Sequence, residues 1–191
     1  MLASRQDSVV VVVDMQPTFL AAIFEKDRVL KRCRFLVEMA FSLGVPVLAT
    51  EQNVARMGGT EESLAALFAL HGVSPVDKMC FSCCGSAPFM SLLEETGRKQ
   101  VILVGIETHI CINQTAHDLL ESEMDFFHGV LIGADTTSSR SLEMHKVGLK
   151  RLRDAGAVIA HTESIAYEWL QSADDPQFRD ALKLVKGYSE S

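Results

Sequence analysis

Three residues of this chain have side chains that could do covalent chemistry together: an acid, a cation and a thiol. Asp14 ends the run "VVVVVD" (9–14), Lys78 is the lone cation of "VDKMCF" (76–81), and Cys111 lies in "VILVGIETHICINQTAHDLL" (101–120). A thiol supplies a nucleophile, a carboxylate beside an apolar wall is a base whose proton affinity desolvation raises, and an ammonium stabilises negative charge that builds up in a reaction. Each also has a plainer reading. Cys111 could be a small buried residue at a strand–helix junction, Lys78 a solvated lysine, and Asp14 a cap for the loop after it. Their joint occurrence at what read as strand ends weakens the three plain readings taken together.

The elements that would position them follow from hydrophobic period. "VILV" (101–104) is a continuous apolar run of the kind found in strands covered on both faces, and Gly105 breaks it. From Thr108 the period changes: Ile112, Ala116, Leu119 and Leu120 share one helical face. Thr108 is the expected N-cap, which places Cys111 at the third helical position, where free N–H groups and the helix dipole would lower a thiol's pKa.

The same reading along the chain predicts strands at 9–14, 45–50, 75–81, 101–104, 126–135 and 157–162. Helices are predicted at 27–43, 60–72 with Thr60 at the cap, 86–97, from 108, and 141–156. That alternation implies an α/β fold: a three-layer, mostly parallel six-stranded sheet with helices on both faces. In such sheets ligands bind beyond the carboxyl ends of the strands, where Asp14, Lys78 and Cys111 are expected. No linker, repeat or low-complexity stretch interrupts the pattern, so one domain spanning 1–191 is expected.

At this point "VVVVVDMQPTFL", "DKMCFSCCGSAPF" and "GIETHICINQTAHDLL" together resemble the isochorismatase-like cysteine hydrolase superfamily. Its first motif carries an Asp, its second a Lys and its third a Cys. The likeness extends to "ATEQNVARMGGT" (49–60), "GADTTSSRS" (133–141) and "RLRDAGAVIAHTESIAYEWL" (151–170), and is nearest to the isochorismatase-domain proteins related to the bacterial hydrolase YcaC. It implies that Cys111 is a nucleophile toward a carbonyl or imine-like carbon, that Asp14 takes the thiol proton and later passes it to a leaving amine, and that Lys78 holds Asp14. It further implies a Rossmann-like sheet, a non-proline cis peptide at Ile106–Glu107, and an oxyanion hole made by the backbone N–H groups of Glu107 and Cys111. Isochorismatases that cleave a vinyl ether generally lack the nucleophilic Cys, so its presence points away from that reaction. Nicotinamidases of the superfamily bind a metal through an Asp-x-His pair after strand two. "ATEQNVARMGG" has no histidine there, so neither metal nor any other cofactor is expected.

The expected function is therefore metal-independent hydrolysis of a C–N bond in a small molecule, an amide or a relative of one. The alternative is a non-catalytic binding or assembly protein on the same fold. Gln16, Glu51, Gln52 and His109 are further candidates to touch substrate, although Glu51 and Gln52 could equally hydrogen-bond loops and His109 could be a solvated loop residue. Cys80 and Cys83 form a lone "CFSC" with no second pair, and His109 and His117 are eight apart rather than four, so neither pair reads as a metal site. "TTSSR" (136–140) follows a strand end and is assigned no chemistry.

Composition narrows the partners. With 48% hydrophobic residues the chain folds rather than staying disordered. Its net charge of −7, with scattered Lys and Arg, makes nucleic acid an unexpected partner. Five cysteines without regular spacing point to a reducing compartment, and the start "MLASRQDSVVVVVDMQ" is too short in apolar residues for a signal core or a membrane span. A cytoplasmic protein free of membranes is expected. The segment 163–185 carries Ile165, Tyr167, Trp169, Leu170, Phe178, Leu182 and Val185, with a helix expected to begin at Pro176. Either it lies near the interface of a homo-oligomer, a state usual in the resembled superfamily, or it covers its own sheet.

Overall fold

The five valines of the first strand divide between two hydrophobic cores. Val10 and Val12 face one layer of helices, and Val9, Val11 and Val13 face the other. A strand can be apolar at every position only when both faces are covered, and that arrangement sets the architecture. The structure, a computed structural model, describes residues 1–122 and 128–189.

The strands are β1 (Ser8–Val13), β2 (Val47–Gln52), β3 (Val76–Lys78), β4 (Gln100–Ile106), β5 (Gly129–Ser138) and β6 (Val158–Ala160). They form one sheet, parallel at every pairing, in the order β3-β2-β1-β4-β5-β6. The helices among the described residues are α1 (Pro17–Leu20), α2 (Lys26–Leu43), α3 (Val54–Met57), α4 (Glu62–His71), α5 (Ala87–Glu95), α6 (Cys111–Glu121), α7 (Leu142–Asp154), α8 (Thr162–Leu170) and α9 (Phe178–Ser189). Residues of α2, α4, α8 and α9 share the core with Val10 and Val12, while α5, α6 and α7 contribute to the core on the opposite face. The chain builds outward from β1 to β3, returns to β4 on the other side of β1, and builds outward again to β6. That reversal puts a crevice between the carboxyl ends of β1 and β4.

Two glycines permit the close packing around that crevice. Gly105 of β4 has φ +107°, and a Cβ there would sit 2.2 Å from the carbonyl oxygen of Val13. Only glycine fits this point on the β1–β4 seam. On α7, a Cβ on Gly148 would press within 3.0 Å of the Thr108 side chain and 3.2 Å of the His109 backbone, so its absence lets α7 lie against the turn that follows β4.

Several local expectations are corrected. Helix α4 is capped by Glu61, whose carboxylate accepts from the N–H groups of Ser63 and Leu64; the Thr60 hydroxyl instead donates to Glu51. Strand β3 ends at Lys78, because the carbonyls of Cys80 and Phe81 turn inward to that ammonium. Strand β5 runs on to Ser138, and the predicted strand residues Phe126 and Phe127 lie outside the described residues. Helix α9 starts at Phe178, two residues beyond Pro176.

The carboxyl-terminal segment covers its own sheet. Ile165, Trp169, Leu170 and Ala181 are buried against α2 and the sheet, the Trp169 indole donates to the Ser8 hydroxyl at 3.0 Å, and the Tyr188 ring meets that of Phe35. Phe178 and Val185 also pack on this core, while Tyr167 stays exposed. No helix among the described residues is long and apolar enough to cross a membrane.

Candidate active site

The carboxyl ends of β1 and β3 and the turn after β4 bring the three candidate side chains to one place. Asp14 leaves β1 in the left-handed region, with φ +52°, a conformation that Asp tolerates better than most residues. Its carboxylate is almost wholly buried, at 2% exposure. One oxygen, Oδ2, accepts from the Lys78 ammonium at 2.7 Å, and the other, Oδ1, accepts from the Thr50 hydroxyl at 2.8 Å. Lys78 completes its donors with Gln52 Oε1 at 2.8 Å and the carbonyls of Cys80 and Phe81 at 3.2 and 3.3 Å. Burial disfavours that ammonium, but the negative charge of Asp14 outweighs it and holds Lys78 above the usual lysine range.

Cys111 is the first residue of α6, not the third. The N-cap position falls to Ile110, with φ −119° and ψ −93°. Thr108 cannot cap because tertiary partners claim it: its hydroxyl pairs with His145 Nδ1 at 2.9 Å and its N–H donates to the Ser138 carbonyl at 2.8 Å. Cys111 borders the same cavity as Asp14. Burial pushes the thiol up, the negative charge of Asp14 pushes it further, and the positive charge of Lys78 offsets part of this. The expectation that helix position would depress this thiol is therefore corrected. In the buried crevice the thiol therefore keeps its proton at rest, and a base must remove it as sulfur reacts.

The sulfur opens on a cavity of about 140 Å³. Phe19, Phe81, Ile106 and Ile110 form its apolar walls, and Asp14, Gln52, Glu107 and Cys111 border it on the polar side. A buried apolar cavity of about 150 Å³ holds benzene, so the enclosed part suits a ligand near the size of one ring. A larger open groove, of about 640 Å³, lies around the start of β2 and is lined in part by Phe41, His71 and Arg98, but none of Asp14, Lys78 and Cys111 borders it.

The peptide bond Ile106–Glu107 is cis. Among the described residues neither the Glu107 N–H nor the Cys111 N–H has a hydrogen-bond partner. The turn that carries them is held from outside by "TTSSR", to which no chemistry was assigned. Arg140 gives its N–H and its Nε to Glu107 Oε2 at 3.3 and 3.1 Å, and His109 Nδ1 lies 2.9 Å from the Ser139 hydroxyl.

The remaining candidates separate. Gln52 borders the cavity and holds Lys78. His109 is partly exposed on the turn but does not line the cavity. Gln16 is wholly buried, with its amide bonded to Gln52 and Gly58 backbone, and Glu51 accepts from the Thr60 N–H and hydroxyl at 2.6 Å each, so both organise loops rather than line the cavity. Thr50 and Cys83 were missed. Thr50 holds Asp14, and the Cys83 sulfur lies 3.8 Å from the same hydroxyl, its own thiol pushed up to about 11 chiefly by burial. Only the neighbourhood of Thr50 to Asp14 on adjacent strands could have flagged it. Among the described residues no group of three or more His, Cys, Asp and Glu is placed to hold a metal ion.

Comparison with known proteins places the chain in a family. The family model described as "Isochorismatase domain" matches residues 8–164. The zebrafish (Danio rerio) isochorismatase domain-containing protein 2 is 35% identical over 182 residues, covering 95% of this chain and 88% of its own length. Among solved structures, the MAR1 ribonuclease of Caenorhabditis elegans superposes with TM-score 0.85 at 30% identity, covering 97% of this chain and 93% of its own. The Escherichia coli YcaC product, described as an octameric hydrolase of unknown specificity, superposes with TM-score 0.84 at 19% identity over 100% of this chain and 97% of its own.

Proposed function

The chain belongs to the isochorismatase family, and on that premise we propose that it is a metal-independent cysteine hydrolase that cleaves a C–N bond in a small amide or related molecule. The observation that carries this reading is the buried Lys78–Asp14 pair, 2.7 Å apart, with Asp14 and Cys111 lining one cavity. A buried ion pair does little for stability, since apolar residues of similar volume often serve as well or better. Its place beside a thiol supports a chemical role and weighs against a purely structural or assembly protein.

The steps follow from the geometry. Asp14 accepts the Cys111 proton as sulfur bonds to the carbonyl carbon, and the carbonyl electrons move onto oxygen. The free N–H groups of Glu107 and Cys111 receive that oxyanion. As the carbonyl re-forms, the C–N bond breaks and Asp14 returns its proton to the departing nitrogen, leaving a thioester on Cys111. Water then enters, gives a proton to Asp14 and attacks the thioester; as the C–S bond breaks, Asp14 returns that proton to sulfur, releasing the acid and restoring the thiol. Lys78 and Thr50 hold the two oxygens of Asp14 in position between proton transfers.

A ribonuclease reading, prompted by the description of the nematode protein, has less support. The net charge is −7, and among the described residues no Lys or Arg lines the 140 Å³ cavity, whereas phosphate backbones are bound by unpaired cations. Small amides, ureides and nicotinamide, assayed for released ammonia with Cys111→Ala as control, test the proposal. Turnover that survives in Cys111→Ala would overturn it.

A further inference from the structure

Resting on the reading of Cys111 as nucleophile, we propose that Glu107 is a specificity-determining residue that restricts the site to uncharged substrates and rejects those bearing a carboxylate near the scissile bond. Glu107 borders the cavity, and its side chain is only 15% exposed. The cation nearest to it, Arg140, is bound by it: backbone N–H and Nε both reach Oε2. His109, 3.9 Å from the same oxygen, is held by Ser139. Lys78 is consumed deeper in the site by Asp14, Gln52 and two carbonyls. Every cation around the cavity therefore already has an anionic or carbonyl partner, while two carboxylates, Asp14 and Glu107, border the space that a substrate would enter.

The remaining walls, Phe19, Phe81, Ile106 and Ile110, offer no compensation to an anion. A carboxylate beside a scissile carbonyl that already takes the Glu107 and Cys111 N–H groups would lose its water without gaining a further donor, and would lie near two more carboxylates whose cations are already engaged. A neutral carboxamide meets no such penalty. Its apolar part fits the walls, and its carbonyl oxygen has the N–H groups of Glu107 and Cys111. Glu107 thus acts twice, through its backbone toward the carbonyl and through its side chain against anions. Recognition of an acid would need Arg140 released from it.

Two measurements test this. The first is the rate at which iodoacetamide and iodoacetate alkylate Cys111, followed by peptide mass mapping and divided by the same ratio for a free thiol such as glutathione. We expect the neutral reagent to be favoured by at least about tenfold beyond the free-thiol ratio. Glu107→Gln, which keeps the backbone N–H and frees Arg140, should narrow the preference; Arg140→Gln, which leaves Glu107 unpaired, should widen it. Equal normalised rates, or a preference that neither variant moves, would overturn the proposal. If Glu107→Gln does not fold, the Arg140→Gln arm still decides. The second is equilibrium binding of propionamide and propionate to Cys111→Ala by NMR, which needs no nucleophile. Tighter propionamide binding alongside an inert Cys111 would leave charge selection standing and discard the hydrolase reading; propionate binding as tightly as propionamide would discard charge selection.

Discussion

Replacing Lys78 by Met tests the site's electrostatics most sharply, because it removes the ammonium and keeps the stem. Lys78 has no exposed side-chain surface and Asp14 only 3%. The substitution strands a buried carboxylate whose remaining side-chain donor is the Thr50 hydroxyl. Removing one partner of a buried pair typically costs about 3–5 kcal/mol. At about 2–4 °C per kcal/mol for a chain of this size, that is a fall in Tm of about 6–20 °C. The pH dependence has a definite sign. In the parent, Asp14 holds Lys78 above its ordinary value, so the pair's contribution is fully present below about pH 10.4 and is lost as pH rises through the folded value. In Lys78→Met the buried Asp14 carboxylate has lost its cation, and desolvation opposes its charged form. The loss should then be largest at neutral pH and shrink as falling pH protonates the folded carboxyl. Urea unfolding at about pH 5 and about pH 8 measures this, and the double variant Asp14→Asn/Lys78→Met should recover much of the stability, since no charge is left stranded. A loss below about 1 kcal/mol, equal at both pH values and unrelieved in the double variant, is what an exposed ion pair would give and would refute the argument.

Other expectations follow from single contacts. Thr50→Val removes the donor to Asp14 Oδ1 and should cost about 1–3 kcal/mol in urea unfolding while slowing Cys111 alkylation; an unchanged alkylation rate would mean that Asp14 needs no such alignment. Trp169→Ala should cost about 3–5 kcal/mol, because the indole is 2% exposed beneath the carboxyl-terminal helices; a loss under about 1 kcal/mol would show that these helices do not close the core. Prolonged dialysis against a chelator should leave Tm and activity unchanged, and stoichiometric zinc or iron in protein purified without added metal would count against the metal-free mechanism. We also propose a homo-oligomer, supported by exposed Leu142, Met144 and Val147 on α7; sedimentation showing a lone 21 kDa species at micromolar concentration would refute it.

The layered sheet was legible because its strands are covered on both faces and therefore read as unbroken apolar runs, as in "VVVVV" and "VILV". The three reactive residues were legible for a related reason: each stands where such a run or its neighbouring strand stops. What escaped was set by partners distant in sequence. Thr108 has the composition of a cap but is taken by His145, 37 residues on. The role of "TTSSR" depends on Glu107, some 30 residues earlier, and Thr50 acquires its role only once β2 lies beside β1. The direction of the Cys111 thiol was misread because helix position was visible in the sequence, whereas burial and the charge of Asp14, which dominate, are properties of the folded crevice.

The central claim is that Cys111 carries the substrate's acyl group. Its most direct test is acid quenching during turnover of whichever small amide the screen identifies, followed by intact-mass and peptide analysis. The account predicts an acyl adduct on the peptide containing Cys111, released by hydroxylamine as a thioester is and missing from Cys111→Ala. Steady turnover with no adduct on Cys111 even under rapid quench, or an adduct on Cys80, Cys83 or Cys84 instead, would contradict it.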